Sequence, residues 1–153
     1  MRSIAPVLVG LIALSSVSAG AAQEDGSAPF VGQLDRLAEQ NEDFRHVLHT
    51  SPHMQLVVMS IAPGESIGAE THRNLEQCLF IVDGTGRAEL AGRTTPIDDD
   101  SVVCVPPGVE HDIVNTGREP LKLFTIYSPP QHAPGTVQHT RADAERAEQH
   151  AQR

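Results

Sequence analysis

The feature that most constrains the fold is a series of short apolar stretches, each ended by a turn, between Phe44 and Tyr127. These stretches are rich in valine, isoleucine, leucine and threonine, and turn signals such as Pro63-Gly64 and Asp83-Gly84 separate them. No helical segment lies between them to make a parallel sheet, so the pattern predicts an all-β domain of the sandwich, jelly-roll or barrel type. The predicted strands are Phe44–His49, Met54–Ala62, Ala69–His72, Gln77–Val82, Arg87–Ala91, Thr94–Ile97, Ser101–Val105, His111–Asn115 and Leu121–Tyr127.

The first residues are typical of a targeting segment. Arg2 supplies a positive start, an apolar run follows from Ile4 to Val17, and small residues occupy Ser18–Ala22. This order predicts a signal peptide over residues 1–22, which would direct export to the periplasm or the cell exterior and then be removed. A retained membrane anchor is the alternative, and the apolar run is too short to span a bilayer comfortably.

The remainder of the chain divides into three predicted parts. Residues 23–43 are expected to form a polar leader with a short helix within Gln33–Asp43, and residues 44–128 the β-domain. Residues 129–153 are expected to form an irregular tail and a surface helix over Ala142–Ala151, because that segment has high helix propensity but is polar nearly all round. A mature chain of about 130 residues is long enough for one domain with one core.

The charge balance argues against one class of partner. The chain has 11 basic and 20 acidic residues, and its formal net charge at pH 7 is −9. Nucleic acid requires a basic surface for its phosphates, so we expect no nucleic acid partner. No segment after the predicted signal peptide is apolar enough to cross a membrane, so we expect no membrane contact after cleavage.

Four side chains have the chemistry and spacing of a metal site: Glu70, His72, Gln77 and His111. Imidazole nitrogen, carboxylate oxygen and amide oxygen all bind divalent first-row metals. Glu70 and His72 are two positions apart, so on an extended strand they point to the same side, and neighbouring strands would supply the other two. Two alternatives stay open: Glu70 could orient His72, and Gln77 could form a hydrogen bond inside the same cup. The other histidines are expected at the surface.

Two motifs make the chain resemble the cupins. The first cupin motif reads glycine, five residues, His-x-His, three or four residues, glutamate, six residues, glycine. Its spacing is matched here by Gly64, Glu70, His72, Gln77 and Gly84. The second cupin motif is similar to Pro106–Asn115, in which His111 takes the histidine position. The resemblance covers Phe44 to Tyr127 and implies a double-stranded β-helix, a jelly-roll barrel, with short terminal helices.

The chain departs from the cupin pattern at two ligand positions. Glu70 stands where the first histidine is usual, and Gln77 stands where the glutamate is usual. The resemblance therefore implies two histidines, one carboxylate and one amide, with the same single negative charge as the usual set. Oxygen donors favour Fe or Mn and histidines also suit Ni or Zn, so the implied cofactor is a divalent transition metal ion of this group. Two histidines with one carboxylate are also the ligand set of non-haem iron oxygenases.

Three hypotheses for function follow from the resemblance. The first is a metal-dependent enzyme of the oxygenase, isomerase or lyase type that acts on a small polar substrate, with Tyr127 or His132 as the catalytic proton carrier. Tyr127 could also be a core or rim residue, and His132 follows a Pro-Pro bend and could fold over the mouth of the cup. The second is a non-catalytic module that binds a sugar or another small molecule, and the third is a degenerate cup without metal. Because cupins often pair, the resemblance also implies a homodimer.

Cys78 and Cys104 are the two cysteines of the chain. Each lies in a predicted strand, and export would bring both into an oxidising compartment where a disulfide can form. Two buried reduced thiols are the alternative. The choice stays open because the sequence does not report the distance between the two Cα atoms.

Overall fold

The computed structural model describes residues 28–151. The predicted signal peptide, residues 1–22, lies outside this range. Neither helix in the described range is long and apolar enough to cross a membrane. The elements in chain order are α1 (Leu34–Gln40), β1 (Arg45–Thr50), β2 (Gln55–Ile61), β3 (Glu70–Thr71), β4 (Glu76–Asp83), β5 (Gly86–Leu90), β6 (Arg93–Ile97), β7 (Val102–Val105), β8 (Glu110–Asn115), β9 (Leu121–Ser128), β10 (Val137–Gln138) and α2 (Arg141–Ala151).

The strands form two antiparallel sheets whose inner faces share one hydrophobic core. The six-stranded sheet has the order β10-β1-β2-β9-β4-β7, and the four-stranded sheet has the order β3-β8-β5-β6. Each strand predicted from the sequence is present, with ends that differ by up to a few residues. The predicted all-β jelly-roll fold, a double-stranded β-helix with two short helices, is therefore confirmed.

Alternation along the strands decides which side chains enter the space between the sheets. In β9, Leu121, Leu123, Thr125 and Tyr127 are buried, while the residues between them are only partly buried. Leucine fills the space at one end of this strand, and threonine and tyrosine fill it at the other. The interior therefore changes from apolar to polar towards the end of β9.

A row of inward-facing polar residues crosses the six-stranded sheet at this polar end. Tyr127 of β9 pairs with Gln55 of β2 on one side and with Gln77 of β4 on the other. Each of the three residues is at most 1% exposed. Polar groups buried this deeply require hydrogen-bond or ligand partners, so this end of the domain is where a functional site is expected.

The C-terminal tail is more integrated than the sequence predicts. Val137–Gln138, within the tail expected to be irregular, pair antiparallel with β1 and extend the six-stranded sheet. Helix α2, expected to be polar nearly all round, buries Ala144 in the core. A two-residue strand is too short for a periodic pattern, and one alanine among polar residues does not reveal a buried side of a helix.

Cys78 and Cys104 form a disulfide that joins β4 to β7. The two residues are directly paired in the antiparallel ladder, with their Cα atoms 4.1 Å apart. Cys78 is half-buried and Cys104 is exposed, whereas their strand neighbours Gln77 and Val103 point inward. The bridge therefore lies on the outer face of the sheet, and the alternative of two buried reduced thiols is wrong.

Candidate metal centre

Strand pairing within the four-stranded sheet brings three of the predicted ligands together. Glu70 of β3 pairs with His111 of β8, and His72 directly follows β3. Glu70 Oε1 lies 3.2 Å from His72 Nε2 and 3.4 Å from His111 Nε2. One potential ligand atom from each side chain lies within 4.8 Å of the other two. A single divalent ion at about 2.0–2.2 Å from each atom can bridge such a group.

The fourth predicted ligand comes from the opposite sheet. Burial alternates along β4, so that Gln77 faces the interior and Glu76 faces solvent, as the strand spacing predicts. Oε1 of Gln77 lies 3.0 Å from Nε2 of His111. The two sheets therefore bring the four predicted side chains to one place, and their role as metal ligands stays a prediction.

A short hydrogen-bond chain determines which way the Gln77 amide points. The Thr125 hydroxyl donates its proton to the carbonyl oxygen of Cys78 at 3.1 Å, so it can only accept from Gln77. Gln77 Nε2 donates to this hydroxyl at 3.3 Å. The amide nitrogen is thus engaged by Thr125, and the amide oxygen is presented to His111.

The surroundings of His111 determine its tautomer and its need for a cation. Nδ1 lies 3.0 Å from the carbonyl oxygen of Val109, which can only accept, so Nδ1 carries a proton. In the neutral ring, Nε2 therefore carries a lone pair and no proton. It nevertheless faces two further acceptors, Gln77 Oε1 and Glu70 Oε1. Three lone pairs around one point repel each other unless a proton or a metal ion lies between them. A histidine that ligates a metal commonly donates its other N–H to a backbone carbonyl, as His111 does.

Electrostatics keep the carboxylate of the cluster ionised. Burial on its own would raise the pKa of Glu70, but hydrogen bonds and charge from His111 and His72 outweigh it and lower that pKa to about 2. Burial also acts to lower the pKa of His111, but Glu70 and the Val109 carbonyl raise it above its ordinary value. His72 Nε2 is buried and faces Glu70 Oε1 at 3.2 Å. The residues therefore fit a cation, because the cluster offers one anionic oxygen, one amide oxygen and two imidazole nitrogens.

Polar contacts hold the segment that leads into β3. Asp112 accepts hydrogen bonds from the Ser66 hydroxyl at 2.9 Å and from the Gly68 amide at 3.1 Å. Gly68 has a φ of 93°, a backbone conformation that favours glycine. Arg141 of α2 donates to the same Ser66 hydroxyl at 3.1 Å. These contacts fix the segment just before Glu70, and thereby help to position its carboxylate.

Tyr127 and His132, the predicted proton carriers, lie beside the cluster. The Tyr127 ring meets the His132 ring edge-on with centroids 5.2 Å apart, and its centroid is 6.0 Å from that of His72. Burial raises the pKa of Tyr127, so its hydroxyl is protonated at neutral pH. Burial, followed by the charge of Arg45, lowers the pKa of His132 to about 4, so its ring is neutral at that pH. Tyr127 is thus a core residue that retains a proton to donate.

Gln55 holds His132 in this position, and the sequence reasoning did not single it out. Its Oε1 accepts from the backbone amides of Gln131 at 3.3 Å and His132 at 2.9 Å. Its Nε2 donates to the His132 carbonyl at 2.8 Å and to the Thr50 hydroxyl at 2.9 Å. The available sequence signal is one amide at the head of a strand that is otherwise apolar except for Ser60.

Arg45 is a second residue that the sequence reasoning missed. It begins β1, shares the inward side of that strand with Val47, and is 2% exposed. Together with Glu70 and His132 it lines a cavity of about 500 Å³. The period of two along the strand could have indicated that Arg45 points inward.

Two of the remaining histidines lie away from the cluster. His46 and His139 both approach Asp43, at 3.7 Å and 2.6 Å respectively. Their side chains are 40% and 78% exposed, which agrees with the surface placement expected from the sequence. They are therefore suitable control positions for substitutions in the cluster.

Comparison with known proteins agrees with this geometry. Residues 57–127 match the model of the cupin domain. The chain is 43% identical over 129 residues to the uncharacterized protein YrkC of Bacillus subtilis, an alignment that covers 80% of this chain and 69% of that protein. The chain belongs to the cupin family. The protein in the crystal structure of BH2720 from Bacillus halodurans is 38% identical to this chain, with a TM-score of 0.78 over 82% of this chain and 99% of that one.

A more distant structure shares the cupin fold alone. It is that of an uncharacterized conserved protein with a double-stranded β-helix domain from Klebsiella pneumoniae, which is 19% identical to this chain. The TM-score is 0.58, over 74% of this chain and 100% of that one. The fold therefore persists where most of the sequence has changed.

Proposed function

We propose that this cupin holds one divalent transition metal ion through Glu70, His72, Gln77 and His111, and that it is a metal-dependent enzyme acting on a small polar molecule. The observation that carries the proposal is the lone pair of His111 Nε2, which faces both Gln77 Oε1 and Glu70 Oε1. The buried Nε2 of His72, which also faces Glu70 Oε1 at 3.2 Å, supports it. A divalent cation satisfies all four groups at once.

The donor set narrows the choice of metal without selecting one. Two oxygen donors favour Fe or Mn, and two imidazoles favour Fe, Ni or Zn over Mg or Ca. When bound with an open coordination position, such an ion supplies a Lewis acid for a substrate oxygen, or in the case of Fe(II) a site for dioxygen chemistry. An oxygenase, an isomerase or a lyase is compatible with this chemistry.

The protein's own residues supply hydrogen bonds to a substrate. Tyr127 is protonated at neutral pH because burial raises its pKa, and its hydroxyl would donate a hydrogen bond to a bound substrate. His132 is neutral because its pKa is about 4, and its buried Nε2 has no hydrogen-bond partner among the described residues, so it offers a ring nitrogen for a hydrogen bond to a substrate. The two rings contact each other with centroids 5.2 Å apart, and the Tyr127 ring also meets the His72 ring edge-on at 6.0 Å.

We also propose that the protein functions in the periplasm or outside the cell. The order of charge, apolar run and small residues in 1–22 supports export. The Cys78–Cys104 disulfide supports it independently, because such bonds persist in oxidising compartments.

The metal proposal is tested by elemental analysis of protein produced with export. We expect about one transition metal ion per chain in the wild type and none in the His72→Ala/His111→Ala double variant. The matched control is His46→Ala/His139→Ala, which removes two histidines outside the cluster and should retain the metal. A wild type that takes up no metal after Fe, Mn, Ni and Zn are each offered would overturn the proposal.

Turnover separates the enzyme from a binding module. The metal-loaded protein is incubated with small polar substrates, with dioxygen consumption followed for the Fe(II) form and product formation for the others. Activity that disappears in His72→Ala and falls in Tyr127→Phe supports the enzyme. Tight binding of a ligand that is returned unchanged would instead identify a non-catalytic cupin module.

A further inference from the structure

A cavity of about 500 Å³ connects the cluster with the C-terminal tail. Glu70 of the cluster contributes to its wall, and His132, Arg45 and Gln138 line it as well. Glu148 of α2 also contributes, so the tail helps to form the cavity. A volume of this size is in the range of small-molecule sites, about 300–1,000 Å³.

The cavity lining contains one guanidinium, that of Arg45, beside the carboxylates of Glu70 and Glu148. The Arg45 side chain is 3% exposed, and its Nη1 donates to Gln138 Oε1 at 2.8 Å. Its Nε is buried and makes no hydrogen bond. A guanidinium has five N–H donors and is matched best by a carboxylate that binds two of them. Gln138 is a neutral amide, and the Phe44 ring, whose centroid lies 5.5 Å from the guanidinium carbon, is also uncharged, so neither neutralises this buried cation.

The negative group nearest to Arg45 is held loosely. Glu148 Oε1 lies 3.6 Å from Arg45 Nη1, beyond hydrogen-bond distance, and its side chain is 58% exposed. It belongs to α2, close to the end of the described chain. An exposed carboxylate at this distance stabilises a cation weakly, and another carboxylate can replace it at little cost.

We infer that the cavity binds a small carboxylic acid, whose carboxylate pairs with Arg45 in place of Glu148 while an oxygen at its other end reaches the metal cluster. The inference rests on the proposed metal site, because that site supplies the second attachment point. Small carboxylic acids are thereby specified as the substrate class, which the metal cluster alone does not do.

The balance of charge in the cavity supports an anion over a neutral sugar. A divalent ion outweighs the single negative charge of Glu70, and Arg45 adds another positive charge on the same cavity. Glu148 offsets only part of this excess, and it does so from solvent. A neutral ligand would leave Glu148, exposed and 3.6 Å away, as the negative partner of the buried guanidinium, whereas a bound carboxylate would supply one at hydrogen-bond distance.

The test measures acid binding to the Co(II)-loaded full-length mature protein by titration calorimetry. Malonate, succinate and glutarate are the acid probes, and succinamide is the neutral probe. We expect at least one acid to bind and succinamide not to bind. Arg45→Gln should weaken the binding of that acid at least tenfold, and Co(II) content should stay equal to that of the wild type.

Glu148→Gln is a second test of acid binding, and it still applies if Arg45→Gln fails to fold. Because it removes the competing carboxylate from an exposed position, we expect it to tighten acid binding about threefold. Glu145→Gln changes an exposed carboxylate on the same helix that does not line the cavity, and it should leave the affinity unchanged.

The outcomes separate this inference from the metal proposal. Stoichiometric Co(II) with no acid bound, or with acid binding that neither Arg45→Gln nor Glu148→Gln alters, overturns the acid site and leaves the metal site standing. A wild type that takes up neither Co(II) nor any of Fe, Mn, Ni and Zn overturns both. Where it takes up another of these ions instead of Co(II), the same titrations are made with that ion.

Discussion

His111 Nε2 and Gln77 Oε1 lie 3.0 Å apart although the two residues belong to different sheets. The contact joins β8 of the four-stranded sheet to β4 of the six-stranded sheet at the polar end of the interior. Since Nδ1 of His111 donates to Val109, the contact needs a proton or a cation to be favourable. A metal ion bound at this point would therefore link the two sheets. It would also be available to bind a substrate.

The orientation of Gln77 should control metal affinity. Gln77→Ala removes the amide oxygen, and we expect the affinity for Zn(II) to fall by about 10–100-fold. Thr125→Val removes the hydroxyl that engages the amide nitrogen while keeping the side-chain shape, and a fall of about tenfold is expected. Competition with a chromophoric chelator measures both.

Thr95→Val is the matched control for the threonine substitution, because Thr95 is exposed on β6. It should bind Zn(II) like the wild type. Wild-type affinity in Thr125→Val would show that the hydroxyl does not orient the amide.

Acid should destabilise the protein through His132. Its pKa is about 4 in the folded state and ordinarily 6.5, so the unfolded state binds the proton more readily between these values. The free energy of unfolding is therefore unaffected by His132 above pH 6.5. It decreases as the pH falls from 6.5 towards 4, because His132 takes up a proton in the unfolded chain while it stays neutral in the folded one. Denaturant unfolding with a chelator present should show that the wild type loses about 2 kcal/mol more than His132→Gln between pH 7 and pH 4.5. Parallel pH dependences in the two proteins would contradict this assignment.

Gln55 should be required to hold the segment that carries His132. Gln55→Leu keeps an apolar side chain in the interior but removes four hydrogen bonds, and we expect a loss of about 2–4 kcal/mol in the free energy of unfolding. The backbone amides of Gln131 and His132 should also exchange faster with solvent. Gln40→Leu, on the exposed side of α1, is the control and should change neither quantity appreciably. Unaltered exchange in Gln55→Leu would mean that other contacts hold the segment.

The disulfide should stabilise the fold without contributing to the metal site. Cys78 and Cys104 are 26 residues apart, and closing a loop of that length is worth about 3.5 kcal/mol in the chain-entropy model. Cys78→Ser/Cys104→Ser should therefore unfold at lower denaturant concentration while keeping the metal content of the wild type, because the bridge lies on the outer face. A reduced metal content in the folded double variant would show that the bridge positions Gln77 on the same strand.

The sequence predicts the fold well because its information is local. Strand alternation and glycine- or proline-containing turns are properties of neighbouring residues, so the strands could be assigned over most of the β-domain. Strand β10 could not, because two residues carry no period and its position depends on pairing with β1. The Ala144 contact of α2 likewise depends on where the tail crosses the domain.

The sequence predicts which residues meet at the candidate centre, but not how all of their side chains are oriented. The two-residue spacing of Glu70 and His72 predicts a shared direction, and their oxygen and nitrogen atoms do lie 3.2 Å apart. The orientation of the Gln77 amide depends on Thr125, which is 48 residues away. Arg45 meets Gln138 across 93 residues, so no local pattern could reveal that pair or the cavity beside it.

The most direct test of the metal assignment is a crystal structure of the Zn(II)-loaded protein, with anomalous scattering recorded at the zinc edge. We predict one anomalous peak between the sheets, about 2.0–2.2 Å from His72 Nε2, His111 Nε2, a Glu70 carboxylate oxygen and Gln77 Oε1. A peak at another position, or no peak in fully folded protein soaked with zinc, would contradict the assignment.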